Sequence, residues 1–217
     1  MGDPSVRDGV AWLLTKRLTL FLVGLLVAVY TAELLVQAAA GDRTWLYLFF
    51  ARADPSPGWL LAPFAHLGPA HLASSAAVIV VYGAMVEDLL SPRAYLALYV
   101  LAGYAAVLGQ VGFYRVTGAP GSTLGASGAA LALVGFVAVT AALGKVPPAS
   151  PMAAAAPALA WFGVGVVVAV LVSDFTPWLD LTHGTASFGH LGGALAGGLS
   201  ALWVPGADLT PQSPKGG

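Results

Sequence analysis

Ser127 lies in the stretch "GASGA", and His190 opens "HLGGALAGG" 63 residues later. A serine hydroxyl becomes a useful nucleophile only when a neighbouring base takes its proton, and a neutral imidazole can do so. Ser127 also stands where a helix should begin. Unpaired backbone N–H groups and the positive end of the helix dipole there would favour an oxyanion. Gly125 and Gly128 keep the backbone around the hydroxyl bare, so that a facing helix or a substrate can approach. Gly189, Gly193 and Gly197 recur every fourth residue, a face that lets another helix backbone come close. No carboxylate adjoins His190 in the sequence, with Asp174 and Asp180 falling in the preceding loop. The economical chemistry is therefore a Ser–His dyad.

The segments that carry these residues are apolar. The 217-residue chain is 58% hydrophobic and 9% charged, with a mean hydropathy of +0.83. Soluble domains carry about 25% charge, so the composition is that of a membrane protein. A net charge of −1 offers no basic surface for nucleic acid. Cysteine is absent, which removes disulfides and thiolate metal sites.

Six apolar segments follow one another: Leu18–Ala40, His71–Leu90, Ala94 to about Gly112, Ser127–Gly144, Ala153–Val172 and Gly189–Val204. The fourth and sixth are short for a bilayer that needs roughly 20 helical residues. Their separators, such as "GDR", "SPR", "GAPGS" and "GKVPPASP", end helices or form turns. The expected fold is all-α, a polytopic bundle of six transmembrane helices over residues 14–204. Residues 1–13 form a cytoplasmic segment and 205–217 a disordered tail. Lys16-Arg17, an apolar run and "QAAAG" also resemble a cleavable signal peptide, but the run exceeds the ~7–15 residues of a signal core. It is read as a retained helix.

With the N-terminus inside, Arg7, Lys16, Arg17, Arg93, Lys145 and Lys215 face the cytoplasm. Arg43, Arg52 and Arg115 face out. That bias predicts cytoplasmic N- and C-termini. The connection 41–70 carries Trp45, Tyr47, Phe49, Phe50 and Trp59. Trp and Tyr favour the headgroup level, so this loop should be partly embedded in the outer leaflet.

In this topology the second, fourth and sixth helices all run inward. His71 lies 17 residues before Asp88, Ser127 lies 17 before Gly144, and His190 lies 14 before Val204. At 1.5 Å per residue the three polar groups share a level roughly 21–26 Å above the inner helix ends. Polar groups at membrane depth mark function by default. "GASGA" is not a nucleophile elbow, because Ala129 replaces its second glycine and no strand is expected before it. No H-E-x-x-H occurs for zinc proteolysis. The acids near a span, Glu33 and the pair Glu87-Asp88, do not supply a two-aspartate mechanism.

From about Trp59 to Val204 the chain resembles the rhomboid family of intramembrane serine proteases. "GASGA" is similar to the family's G-x-S-G motif, which implies Ser127 as nucleophile. "GHLGGALAG" is similar to its H-x-x-G-x-x-x-G element, which implies His190 as general base. "HLGPAHLASS" resembles the segment that opens the second helix, placing His71 at an oxyanion hole shared with Ser127 and Ser75, and His66 in support of the preceding loop. "GAMVED" resembles G-x-x-x-E, matching Gly83 and the supporting Glu87. Helix packing is assigned to Gly83, Gly125, Gly128, Gly193 and Gly197. The resemblance makes Ala153–Val172 a gate, loosened by Pro157, and the loop around His183 a cap.

Three positions depart from the family pattern. Ser75 replaces an asparagine, Leu131 replaces an aromatic residue beneath the histidine, and Leu60 follows Trp59 in place of arginine. Both reacting residues are retained, so the reading is a serine endopeptidase of the cell membrane that cuts transmembrane proteins and uses no cofactor or metal. Its expected partners are those substrates and the lipid bilayer, with oligomeric state left open by the sequence. The alternatives are an impaired rhomboid-like pseudoprotease that binds or escorts membrane proteins, and a small-solute transporter. A transporter's repeated halves are not evident.

Overall fold

A computed structural model describes residues 6–148, 153–176 and 186–203 of the chain. The tail 205–217, Asp180, His183 and most of the cap loop lie outside these residues. The first helix, α1 (Val6–Leu14), was not foreseen in the N-terminal segment. Next comes α2 (Arg17–Phe49), which continues nine residues beyond the expected end at Ala40. Gly41 alone leaves helical geometry, with φ 79° and ψ 170°, and the chain re-enters a helix after it. A positive φ is cheap only for glycine, so the "GDR" that reads as a stop is a kink.

The remainder of the long connection is also built rather than loose. It holds the two-residue strand β1 (Ala51–Arg52), the short helix α3 (Gly58–Leu61) and a 3₁₀ turn over Ala62–Phe64. Phe49, Phe50, Ala51, Ala62 and Ala65 bury themselves against Val107, Val111 and Leu124, forming a small second core under this excursion.

The second apolar segment comprises α4 (Pro69–Val78) and α5 (Ala84–Leu89), joined by a π-helical stretch over Ile79–Gly83. Then follow α6 (Pro92–Thr117), strand β2 (Ser122–Thr123), α7 (Ser127–Ala142), α8 (Ala156–Phe175) and α9 (Ser187–Ala201). Ser91 caps α6, its hydroxyl accepting the Ala94 N–H at 3.4 Å with proline in the first turn. Pro157 likewise sits in the first turn of α8. A missing N–H costs nothing there, so this proline starts the helix instead of loosening it.

Among the described residues, four helical segments are long and apolar enough to cross a membrane: Arg17–Phe49, Pro69–Leu89, Pro92–Thr117 and Ala156–Phe175. The other two apolar helices, α7 and α9, have 16 and 15 residues. Helix α7 is the hub. Apolar on every side, it buries Ala129, Ala130, Leu133, Val134, Phe136 and Val137 among α4, α5, α6, α8 and α9. By contrast α8 turns Trp161, Phe162, Val168 and Val172 outward, as a lipid-facing helix should.

At the C-terminal end of α5 Glu87 accepts the backbone N–H groups of Leu18 and Thr19, at 3.1 and 2.9 Å, and the Thr19 hydroxyl at 2.8 Å. These amides begin α2 and have no partner within it, so the carboxylate caps that helix from across the bundle. Asp88 beside it pairs with Lys16 and accepts the Trp12 indole N–H at 3.1 Å, tying α1 to the same corner.

Candidate active site

Ser127 is the first residue of α7. The chain reaches it through β2, which pairs antiparallel with β1 so that Thr123 faces Ala51. A strand does therefore precede the serine, contrary to expectation. Two residues matched to two others some 70 positions away leave no periodic trace in a sequence. Gly125 follows with φ +125°, and its N–H donates to the Ala62 carbonyl at 2.8 Å. A Cβ at this position would lie 2.9 Å from His71 Cε1 and 3.1 Å from Ser127 Oγ. Both backbone angle and space thus demand glycine between the two polar side chains.

His190 lies in the first turn of α9 and is 8% exposed. That turn is held by Gln110 of α6, whose buried Oε1 accepts the N–H groups of Phe188 and Gly189 at 3.0 and 3.3 Å. The sequence reading missed Gln110. Its signal was an amide within an apolar run, where an unsatisfied polar group is costly.

Ser127 Oγ lies 2.8 Å from His190 Nε2. On the other side of the same ring, Nδ1 lies 2.6 Å from Asp174 Oδ2. A carboxylate can only accept, so Nδ1 carries the proton and the Nε2 lone pair is left to accept from the serine hydroxyl. The expected loop position of Asp174 is corrected: it occupies the last turn of α8, which brings its side chain to His190.

His71 and Ser75 stand one helical turn apart on α4. Both line a cavity of about 630 Å³ together with Ser127, His190 and Leu131, and Val166 and Val170 of α8 form another side. The His71 Nδ1 accepts the Leu67 N–H over a long 3.5 Å, which leaves Nε2–H as the donor beside Gly125. Ser75 is 3% exposed, and its hydroxyl has no hydrogen-bond partner among the described residues. His66 is fully buried and meets the His71 ring edge-on, with centroids 5.2 Å apart. Burial pushes its imidazole down to about 3, and the neighbouring His71 adds to the effect. Its backbone N–H donates to Glu33 Oε1 at 2.8 Å, while the Trp45 indole donates to Glu33 Oε2 at 3.1 Å. The buried glutamate of α2 thus fastens the excursion that carries His66 and leads into α4, where His71 lies.

The family model of the Rhomboid domain matches residues 57–206, more than half of the chain. The chain belongs to the rhomboid family. A comparison with curated proteins gave no match. The stretches "GASG" and "HLGGALAG", which resemble rhomboid motifs, meet at the Ser127–His190 contact.

Glycine makes that contact possible. A Cβ on Gly193 would run into the Gly128 carbonyl, one on Gly197 into that of Ala132, and one on Gly128 into Ala106. Helices α7 and α9 therefore touch backbone to backbone. Gly83 serves a different contact, against the Tyr95 hydroxyl and Thr19. At the three departures from the rhomboid pattern, Leu131 is buried against the cavity, Ser75 lines it, and Leu60 accepts the Tyr104 hydroxyl with its backbone carbonyl at 3.0 Å. Arg115 lies 5.0 Å from the Trp59 ring centre and donates to Ala53 O at 2.6 Å, placing a guanidinium beside that tryptophan from α6 instead of from position 60.

Proposed function

We propose that this rhomboid is an active intramembrane serine endopeptidase that cuts transmembrane proteins near the outer end of their helix. The observation that carries the reading is the 2.8 Å contact between Ser127 Oγ and His190 Nε2 on the wall of the cavity. In the first step Oγ bonds to the scissile carbonyl carbon while its proton passes to Nε2. The carbonyl electron pair moves onto oxygen. Collapse of this tetrahedral species expels the amine, which takes the proton from Nε2 and leaves an acyl-serine. Water then repeats the sequence and frees the acid, so that no cofactor is consumed.

The developing oxyanion would be met by the Ser127 backbone N–H at the start of α7, the Nε2–H of His71 and the Ser75 hydroxyl. The cavity's walls on α4 and α8 suit entry of an unwound substrate segment between these helices. With six spans in the cell membrane, the distribution of basic residues supports cytoplasmic N- and C-termini.

The test is cleavage of a transmembrane reporter by the protein reconstituted in liposomes. Ser127→Ala and His190→Ala should each abolish cleavage without loss of the folded state. Substantial activity in either variant would refute the mechanism. Intact reporter with the unmodified protein, over a panel of helix sequences, would instead favour a non-cleaving escort. Tags before Asp3 and after Gly217 should be reached only from the cytoplasmic side.

A further inference from the structure

We infer that Asp174 is a positioning residue that completes a Ser127–His190–Asp174 triad, an inference that deepens the protease reading and rests on it. The carboxylate and the serine hydroxyl occupy the two nitrogens of one imidazole, 2.6 Å from Nδ1 and 2.8 Å from Nε2. The Asp174 side chain is fully buried, and that of His190 is 10% exposed. An ionised carboxylate withdrawn from water is stable only when paired and hydrogen-bonded. His190 supplies that pairing at the outer end of an apolar helix. A second bond fastens the same corner, the Ser187 hydroxyl donating to the Asp174 carbonyl at 3.2 Å. The end of α8 and the start of α9 are therefore tied twice at Asp174, by its side chain to His190 and by its carbonyl to Ser187.

The pairing has two consequences for the reaction. It selects the Nδ1–H tautomer, the form in which Nε2 can take the serine proton. It also places a negative charge beside the imidazolium that forms during attack, with no proton passing to the carboxylate. Leu131 stands where the family pattern has an aromatic residue packing beneath the histidine. In this chain the ring's orientation comes from a hydrogen bond to α8 instead of from an aromatic surface on α7.

The experiment combines a tautomer readout with kinetics. The full chain with ¹⁵N-labelled histidine is purified in detergent, and His190 is assigned by comparison with His190→Gln. The unmodified protein should show His190 as the Nδ1–H tautomer with a strongly downfield N–H proton. Asp174→Asn and Asp174→Ala should lose that proton signal and shift the tautomer balance toward Nε2–H. On a transmembrane reporter, both should lower kcat by about 10²- to 10⁴-fold, with KM little changed, since the partner acts on the base and not on substrate binding. An Nε2–H tautomer in the unmodified protein would overturn the inference without reference to any variant. So would an Nδ1–H signal and kcat that persist in both variants. Failure of the protease reading looks different: the unmodified protein cuts nothing, while the Asp174-dependent tautomer is still present.

Discussion

Gly193 of α9 lies directly against the backbone carbonyl of Gly128 on α7, with no room for a side chain between them. His190 sits one turn earlier on α9 and Ser127 one residue earlier on α7, so this contact sets the spacing of the reacting pair. Gly193→Ala should destabilise the bundle by about 1–3 kcal/mol through overpacking. It should also reduce kcat more than KM, because the two helices must part. Gly192→Ala meets nothing within 4 Å and is the matched control. Thermal unfolding in detergent and reporter kinetics on both variants check this. Equal effects at 192 and 193 would contradict it.

A second expectation concerns the oxyanion side of the cavity. His71 offers an imidazole N–H, whereas Ser75 offers a shorter hydroxyl without a partner among the described residues. Loss of one oxyanion donor costs about 10²–10³ in turnover in a serine hydrolase. His71→Ala should approach that loss, and Ser75→Ala should cost much less. Ser75→Asn should raise kcat with KM little changed, because a longer donor acts on the transition state. An equal loss in Ser75→Ala and His71→Ala would make the hydroxyl a full donor already.

The parts of this molecule that were legible in the sequence were local or periodic. Six apolar runs could be read from spacing, while Glu87 and the pairing of two short motifs came from the resemblance to the rhomboid family. What escaped depended on tertiary placement. Asp174 lies 16 residues before His190 and three before a Pro-Trp pair, so it reads as loop. Only the three further residues of α8, which runs on past Val172 to Phe175, carry it to the ring. The β1–β2 pairing and the Gln110 cap are likewise contacts between distant segments. At Gly41 the local signal was real, since the backbone does leave the helix there. The aromatic stretch after it nevertheless resumes helical geometry, with Trp45 bonded to Glu33.

Buried His66 gives stability a dependence on acidity. Its imidazole titrates near 3 when folded, against about 6.5 for an exposed histidine. Between those values the unfolded chain binds a proton that the folded one refuses. Its contribution is therefore complete above about pH 6.5 and is lost as pH falls toward 3, at a limiting slope of about 1.4 kcal/mol per pH unit. Unfolding free energies measured in detergent from pH 7 to 4 should show this slope, and His66→Leu should flatten it. An unchanged slope in the variant would show that His66 does not remain neutral in the folded protein.

The most direct test of the central claim is covalent labelling of the nucleophile. The purified protein in detergent is treated with a fluorophosphonate and digested, and the modified residue is located by mass spectrometry. A phosphonyl adduct should form on Ser127 alone among the chain's serines. It should be slowed strongly by His190→Ala and be absent from Ser127→Ala. An unlabelled protein across several such probes, or labelling that is indifferent to His190, would contradict an activated serine at the start of α7.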